Sequence, residues 1–107
     1  MSEPIFERIR AEIGQNPILV YMKGTPEFPQ CGFSARTVRA FELLGVPIAS
    51  RNVLEDPELR DGIKRFSNWP TIPQVYIGGE FVGGCDIIVE MFQSGELAEL
   101  VKKTLEG

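Results

Sequence analysis

The sequence contains no histidine and only two cysteines, Cys31 and Cys85. Without histidine, the chain cannot build a Ser-His-Asp or Cys-His catalytic site, or a histidine-ligated zinc or iron centre, from its own residues. Two cysteines are too few for a four-cysteine metal site within one chain or for a disulfide-stabilised scaffold. If the chain acts alone, its composition therefore excludes several common classes of catalytic and metal-binding site.

Long apolar runs and a surplus of basic residues are missing as well. No run approaches the ~20 apolar residues that span a bilayer, and the acidic N-terminus has no apolar segment typical of a signal peptide. The net charge of −4 and the pI of about 4.8 disfavour nucleic-acid binding, because contacts to phosphate supply most of that affinity. We therefore expect a cytoplasmic protein with reduced thiols and with neither a nucleic-acid nor a membrane partner.

The remaining composition is that of an ordinary globular protein. The chain has 107 residues, of which 43% are hydrophobic and 24% are charged. This length suits one compact domain and leaves no room for a second. We therefore predict a single domain over residues 1–107.

Apolar periodicity and turn residues predict the element order α-β-α-β-α-β-β-α. The predicted elements are a helix over 2–13 with Ser2 as its N-cap, a strand over 18–22, a helix over 32–44, a strand over 48–53, a helix over 57–66, strands over 74–77 and 80–82 joined by Gly78-Gly79, and a final helical region divided by Gly95. The β-α-β start implies a parallel pair, whereas the Gly-Gly hairpin implies an antiparallel pair. The predicted fold class is therefore α/β, with a four-stranded mixed sheet between helices.

The first motif that could carry chemistry is Cys31-Gly32-Phe33-Ser34, at the junction of a loop and a helix. A thiol there lies near the unpaired amides and the positive end of the helix dipole, which favour the thiolate. Lys23, at the end of the preceding strand, could approach the same place. Ser34 replaces the second thiol of a C-x-x-C motif, so turnover would need an external thiol. The alternative is that Cys31 is a small buried residue.

The second motif is the loop Trp69-Pro70-Thr71-Ile72-Pro73. A proline just before a strand marks a turn or an edge, because it cannot donate to the sheet. A cis bond before Pro73 would expose the backbone N–H and C=O of Ile72 to an extended, peptide-like ligand. The alternative is an ordinary rigid loop.

Two further features have a simple structural alternative. In Gly83-Gly84-Cys85-Asp86, the glycines would allow a ligand to approach the backbone closely. Asp86 could offer its carboxylate to the amino-acid end of a ligand, although an N-cap role is the interpretation we favour from its position. Arg60 and Lys64 share one helix face, where they could meet an anion or form a solvated surface.

Together and in this order, Lys23 and the three motifs resemble the monothiol (CGFS-type) glutaredoxins. The resemblance covers about residues 5–105 and includes the loop over 24–30 that separates Lys23 from Cys31. It implies a thioredoxin fold, which agrees with the predicted element order, in a single-domain form without a thioredoxin-like domain in front. It also implies that the chain binds glutathione and a 2Fe–2S cluster held between two subunits.

The resemblance assigns roles to particular residues. Cys31 would be the redox-active residue and would ligate iron, while Lys23 and Arg60 would hold the carboxylates of glutathione. A 2Fe–2S cluster needs four thiolates, and two Cys31 sulfurs with two glutathiones supply that number.

The other two motifs would complete the glutathione site. Ile72, before a cis Pro73, would pair with glutathione through its backbone, and Cys85 and Asp86 would bind its γ-glutamyl end. The groove itself would be shaped by Trp69, Thr71 and Gly84.

The resemblance therefore implies a carrier that forms a homodimer when loaded and transfers its cluster to apo iron–sulfur proteins. The alternative is a glutathione-dependent thiol–disulfide oxidoreductase with weak deglutathionylation activity. A third interpretation is a redox-inert interaction module that holds partners in its groove, since the resemblance also implies pairing with BolA-like proteins.

Overall fold

The computed structural model describes residues 3–107, in which a four-stranded sheet lies between two layers of helices. In chain order the elements are α1 (Pro4–Gln15), β1 (Ile18–Met22), α2 (Gly32–Leu44), β2 (Ala49–Asn52), a 3-10 turn (Val53–Glu55), α3 (Pro57–Ser67), β3 (Gln74–Ile77), β4 (Glu80–Gly83), α4 (Cys85–Ser94) and α5 (Glu96–Glu106). The predicted α/β class and element order are confirmed.

The strands lie in the order β2-β1-β3-β4. β1 pairs with β2 in parallel and with β3 antiparallel, and β4 forms the antiparallel hairpin edge. All residues of β1 are buried, because it lies inside the sheet and side chains alternate between its faces. Ile18, Val20 and Met22 pack into one core cluster, whereas Leu19 and Tyr21 pack into the other.

Each face of the sheet has its own helical layer. α2, α4 and α5 cover one face through buried residues such as Phe41, Ile88 and Val101. α1 and α3 cover the other face through Ile9 and Ile63. None of the helices formed by residues 3–107 is long and apolar enough to cross a bilayer.

The ends of α1 and β2 differ from the prediction. Ser2, the predicted cap of α1, lies outside the described residues; the helix begins at Pro4, after Glu3, and continues to Gln15. It extends past 13 because the Asn16 side chain donates to the Glu12 carbonyl at 2.8 Å and satisfies the last turn. β2 ends early, at Asn52, whose side chain accepts from the Leu54 N–H and starts the 3-10 turn.

The predicted cap role of Asp86 is wrong. The N-cap of α4 is Gly84, whose backbone is extended, and Asp86 lies in the first helical turn with an exposed side chain. An acidic residue there is favoured by the helix dipole without capping the helix. The predicted break at Gly95 is confirmed, since its φ of 88° is left-handed and separates α4 from α5.

Candidate functional site

A cleft of about 750 Å³ opens where the end of β1, the start of α2, the loop before β3 and the start of α4 meet. Its lining consists of Lys23, Cys31, Phe33, Lys64, Trp69, Pro70, Thr71, Ile72, Pro73, Gly84, Cys85, Asp86 and Ile87. The fold therefore brings all three sequence motifs to one cavity, although they are far apart in the chain.

Cys31 is the N-cap residue of α2 and is only partly buried. The interpretation of Cys31 as a small buried residue is therefore wrong. The pKa of its thiol is lowered from the ordinary value, chiefly because the Ser34 backbone amide donates to the sulfur. Partial burial opposes this, while the Phe33 amide, the Ser34 hydroxyl and the charge of Lys23 act in the same direction. The site thus favours a thiolate nucleophile or metal ligand.

The loop between Lys23 and Cys31 is held by hydrogen bonds from its backbone amides. The Gln30 N–H donates to the Lys23 carbonyl at 2.9 Å, and the Gly24 N–H donates to the Asn52 side chain at 2.9 Å. Gly24 has a φ of 88°, and a Cβ there would lie only 2.5 Å from the Phe28 carbonyl oxygen. The loop therefore needs glycine at this position and fixes Lys23 relative to Cys31.

Ser34, at the position of a second motif thiol, is completely buried. Its hydroxyl accepts a hydrogen bond from the Lys23 N–H at 3.1 Å. The other thiol of the cleft is Cys85, which is buried, and both cysteines are free. The CGFS segment thus presents one thiol, as the sequence indicates.

The loop before β3 forms one wall of the cleft. The Ile72–Pro73 peptide bond is cis, as predicted. Within residues 3–107 the backbone N–H and C=O of Ile72 take no backbone partner. They are therefore available to the backbone of an extended ligand.

Trp69 joins this wall to the glycine motif. Its ring packs against Phe81 with the centroids 5.5 Å apart. Its Nε1 is buried and has no hydrogen-bond partner among the residues that the structure describes. A Cβ on Gly84 would lie 3.3 Å from that nitrogen, so glycine is needed for the ring to lie this close.

The start of α4 supplies a polar end to the cleft. Cys85 and Asp86 form its first turn, where backbone amides have no partner within the helix. These amides and the positive end of the dipole favour a carboxylate, whereas the Asp86 side chain favours an ammonium group. The two preferences together suit the amino-acid end of a ligand.

The basic residues of α3 are placed differently from the expectation. Lys64 lines the cleft, whereas Arg60, one turn earlier, is outside its lining. The Lys64 carbonyl accepts a hydrogen bond from the Trp69 N–H at 3.2 Å, which holds this part of α3 next to the cleft wall. The sequence identified the shared face of the two residues but could not show which end of it meets the cleft. The sequence assigned no role to three other lining residues: Phe33 and Pro70 lie inside the first two motifs, and Ile87 directly follows Asp86.

Comparison with known proteins agrees with this architecture. The family model described as Glutaredoxin matches residues 18–82. Glutaredoxin 4 of Haemophilus ducreyi is 52% identical over 98 residues, which cover 92% of each chain. The mitochondrial monothiol glutaredoxin-5 of Saccharomyces cerevisiae is 53% identical over 106 residues, covering 96% of this chain and 71% of that protein.

The fold is also found in solved structures. The crystal structure of a buckwheat glutaredoxin–glutathione complex superimposes with a TM-score of 0.83 over 94% of this chain and 89% of that chain, at 22% identity. At that identity the likeness speaks for the fold alone. With the family match and the closer relatives, it follows that the chain belongs to the glutaredoxin family, among its monothiol members, and has the thioredoxin fold.

Proposed function

We propose that this protein binds glutathione in the cleft and, with a second subunit, carries a 2Fe–2S cluster to apo iron–sulfur proteins. The observation that carries the proposal is Cys31, a partly exposed thiol with a lowered pKa at the mouth of the cleft. Because Ser34 occupies the second motif position, the CGFS segment holds no second thiol with which Cys31 could form a disulfide. Cys31 is free to act as a ligand.

The chemistry of the cleft supports glutathione as its ligand. Glutathione is an extended tripeptide with two carboxylates and one ammonium group. Lys23 and Lys64 line the cleft and would offer cations to one carboxylate. Arg60 lies one turn before Lys64 in α3 and outside the lining, so it would act at longer range. The start of α4 offers amides and the Asp86 carboxylate to the γ-glutamyl end, and charge-assisted bonds of this kind are the stronger ones.

The middle of the ligand would lie along the loop before β3. Ile72 would pair with a peptide group of glutathione, beside Pro73, Thr71 and the ring of Trp69. The buckwheat glutaredoxin, which shares the fold, has been crystallised in complex with glutathione.

The donor set supports a cluster shared between subunits. Within residues 3–107 no three cysteine, aspartate or glutamate side chains come together as a metal site. Four thiolates are needed for a 2Fe–2S cluster, and each chain offers Cys31 as its accessible thiol. Two chains and two glutathione molecules complete the set, with the cluster as cargo that can be passed on.

Anaerobic reconstitution with iron, sulfide and glutathione tests this function. The wild type should gain visible absorption and sediment as a dimer, and both changes should require glutathione. Cys31→Ser should remain colourless, whereas Cys85→Ser is the matched control that keeps the cluster. A colourless monomeric wild type under these conditions would exclude the proposed carrier.

The lowered pKa of Cys31 also supports a second candidate, the reduction of glutathione mixed disulfides. The Cys31 thiolate would attack the glutathionyl sulfur and release the protein thiol. A second glutathione would then regenerate Cys31 and leave as glutathione disulfide. Turnover of a small glutathione mixed disulfide measures this activity, and rapid turnover by a protein that takes up no cluster would favour it over the carrier.

The partners follow from the same proposal. An apo iron–sulfur protein would receive the cluster, and a BolA-like protein would take the place of one subunit. Both should bind the loaded protein in a glutathione-dependent manner, which affinity capture of loaded and unloaded forms would measure. Two free thiols suit a reducing compartment such as the cytoplasm.

A further inference from the structure

Gln74, the first residue of β3, is a completely buried polar side chain next to the cleft but outside its lining. Its amide Nε2 donates to the Trp69 carbonyl at 3.0 Å and to the Thr71 carbonyl at 3.3 Å. Both carbonyls belong to the loop that forms the cleft wall. One side chain therefore uses both of its N–H groups on this loop.

The orientation of the amide is fixed from the other side. The Tyr76 hydroxyl donates to the Gln74 Oε1 at 3.3 Å. Burial raises the pKa of Tyr76 to about 12, so this hydroxyl remains a donor at neutral pH. With Oε1 occupied by a donor, Nε2 must face the two loop carbonyls.

The loop is also held by the packing of Trp69 on Phe81, by the burial of Ile72 and by hydrogen bonds at its start. The Trp69 N–H reaches the end of α3 through the Ser67 hydroxyl at 3.1 Å and the Lys64 carbonyl. The Trp69 carbonyl and the Thr71 carbonyl take their hydrogen bonds from Gln74. An apolar side chain at position 74 would remove both of these part-buried hydrogen bonds and with them the link between the two carbonyls and β3.

We propose that Gln74 is a positioning residue, which holds the Trp69–Pro73 wall in the conformation that receives glutathione without touching the ligand itself. The role in ligand binding rests on the proposed function. The role in holding the wall rests only on the hydrogen bonds above.

Trp69 provides a direct readout, since it is the one tryptophan in the chain. Gln74→Leu should move its fluorescence to longer wavelength and increase its quenching by acrylamide, because the wall is released. Glutathione binding, measured by calorimetry, should weaken about tenfold, the effect of one or two lost hydrogen bonds.

Gln74→Glu provides a second variant of nearly the same shape. Its ionised carboxylate cannot donate to the two carbonyls, so Trp69 should be displaced as in Gln74→Leu. Protonation restores one donor, and burial raises the pKa of a glutamate above its ordinary value of about 4.3. Trp69 fluorescence should therefore return toward that of the wild type as the pH is lowered, when both proteins are titrated in parallel.

Val101→Ala is the matched control for a loss of stability alone. Val101 is buried in the cluster on the opposite face of the sheet, and its truncation should lower the free energy of unfolding without changing Trp69 fluorescence. Unchanged fluorescence in both Gln74 variants would overturn the proposal. If the wild type fails to bind glutathione, the proposed function is wrong, whereas the fluorescence comparison still decides the role of Gln74.

Discussion

The backbone N–H of Lys23 donates to the hydroxyl of Ser34 at 3.1 Å. This bond joins the end of β1 to the first turn of α2, on either side of Cys31. Ser34 therefore has a structural role besides replacing the second thiol of a C-x-x-C motif. It ties together the two segments that carry the cation and the thiol of the cleft.

Ser34→Ala should raise the pKa of Cys31 toward its ordinary value. The hydroxyl that stabilises the thiolate is lost, while the larger contribution from the Ser34 amide remains, so the shift should be partial. The rate of Cys31 alkylation as a function of pH measures it, in a Cys85→Ser background that leaves one thiol. The part-buried Lys23 N–H also loses its acceptor, which should reduce the free energy of unfolding by about 1 kcal/mol.

Thr37→Val is the control for this experiment. Thr37 is another buried residue of α2, and its hydroxyl donates to the Phe33 carbonyl at 2.9 Å. Its removal should leave the alkylation profile unchanged. An identical profile for Ser34→Ala and the wild type would contradict a role of the hydroxyl at the thiolate.

Gly84→Ala should weaken glutathione binding by disturbing the cleft wall. A Cβ there would lie 3.2 Å from the Pro73 carbonyl oxygen and 3.3 Å from the Trp69 Nε1, so both must move by a few tenths of an ångström. The φ of Gly84 is −100°, which alanine adopts readily, so the effect comes from contact and not from backbone strain. Calorimetry and Trp69 fluorescence should both report the change.

Gly14→Ala is the matched substitution in open space. Gly14 lies within α1 and nothing is within 4 Å of its added Cβ. Alanine there should raise the free energy of unfolding by roughly 0.5–1 kcal/mol and leave glutathione binding unchanged. Equal glutathione affinity in Gly84→Ala and Gly14→Ala would contradict the close approach of Trp69 to Gly84.

Much of the fold could be predicted because its signals are local. β1 is a short apolar run between turn residues, and the structure gives it the predicted bounds, 18–22. Gly78-Gly79 marked the hairpin, and both residues have the positive φ that such a turn requires. The end of α1 could not be predicted, since it depends on one side-chain bond from Asn16.

The site was predictable to the extent that its residues form motifs. Cys31 and Ile72 lie in segments whose composition indicates their role, and the fold brings both to the cleft. Lys64 and Gln74 lie in ordinary helical and strand patterns. Their importance depends on which end of α3 meets the cleft and on which loop a buried amide faces, and only the tertiary structure decides these points.

Lys64→Gln should weaken glutathione binding more than Arg60→Gln, because Lys64 lines the cleft and Arg60 does not. Loss of a charge-assisted contact in a partly solvated position should reduce the affinity about threefold to tenfold. The effect should shrink as salt is added, since screening weakens the interaction of exposed charges. Calorimetry at low and high ionic strength measures both variants, and a larger loss for Arg60→Gln would reverse the assignment.

Asp56→Asn should reduce stability at neutral pH but not in acid. The Arg8 guanidinium, 2.7 Å from the carboxylate, holds the pKa of Asp56 below its ordinary range, and the Leu59 N–H adds to this. Since the pKa is lower in the folded than in the unfolded state, the stabilisation is complete above the unfolded value and is lost as the pH falls through the folded value. The contribution should be below about 1 kcal/mol, because both side chains are partly exposed.

Denaturant unfolding of the wild type and Asp56→Asn across the acidic range measures this difference. Asparagine still caps α3, so the two proteins should converge in stability once Asp56 is protonated. Asp56→Ala also removes the acceptor for the Leu59 N–H, and should therefore remain about 1 kcal/mol less stable than the wild type even in acid. A stability difference between wild type and Asp56→Asn that stays constant with pH would show that the ion pair with Arg8 does not contribute.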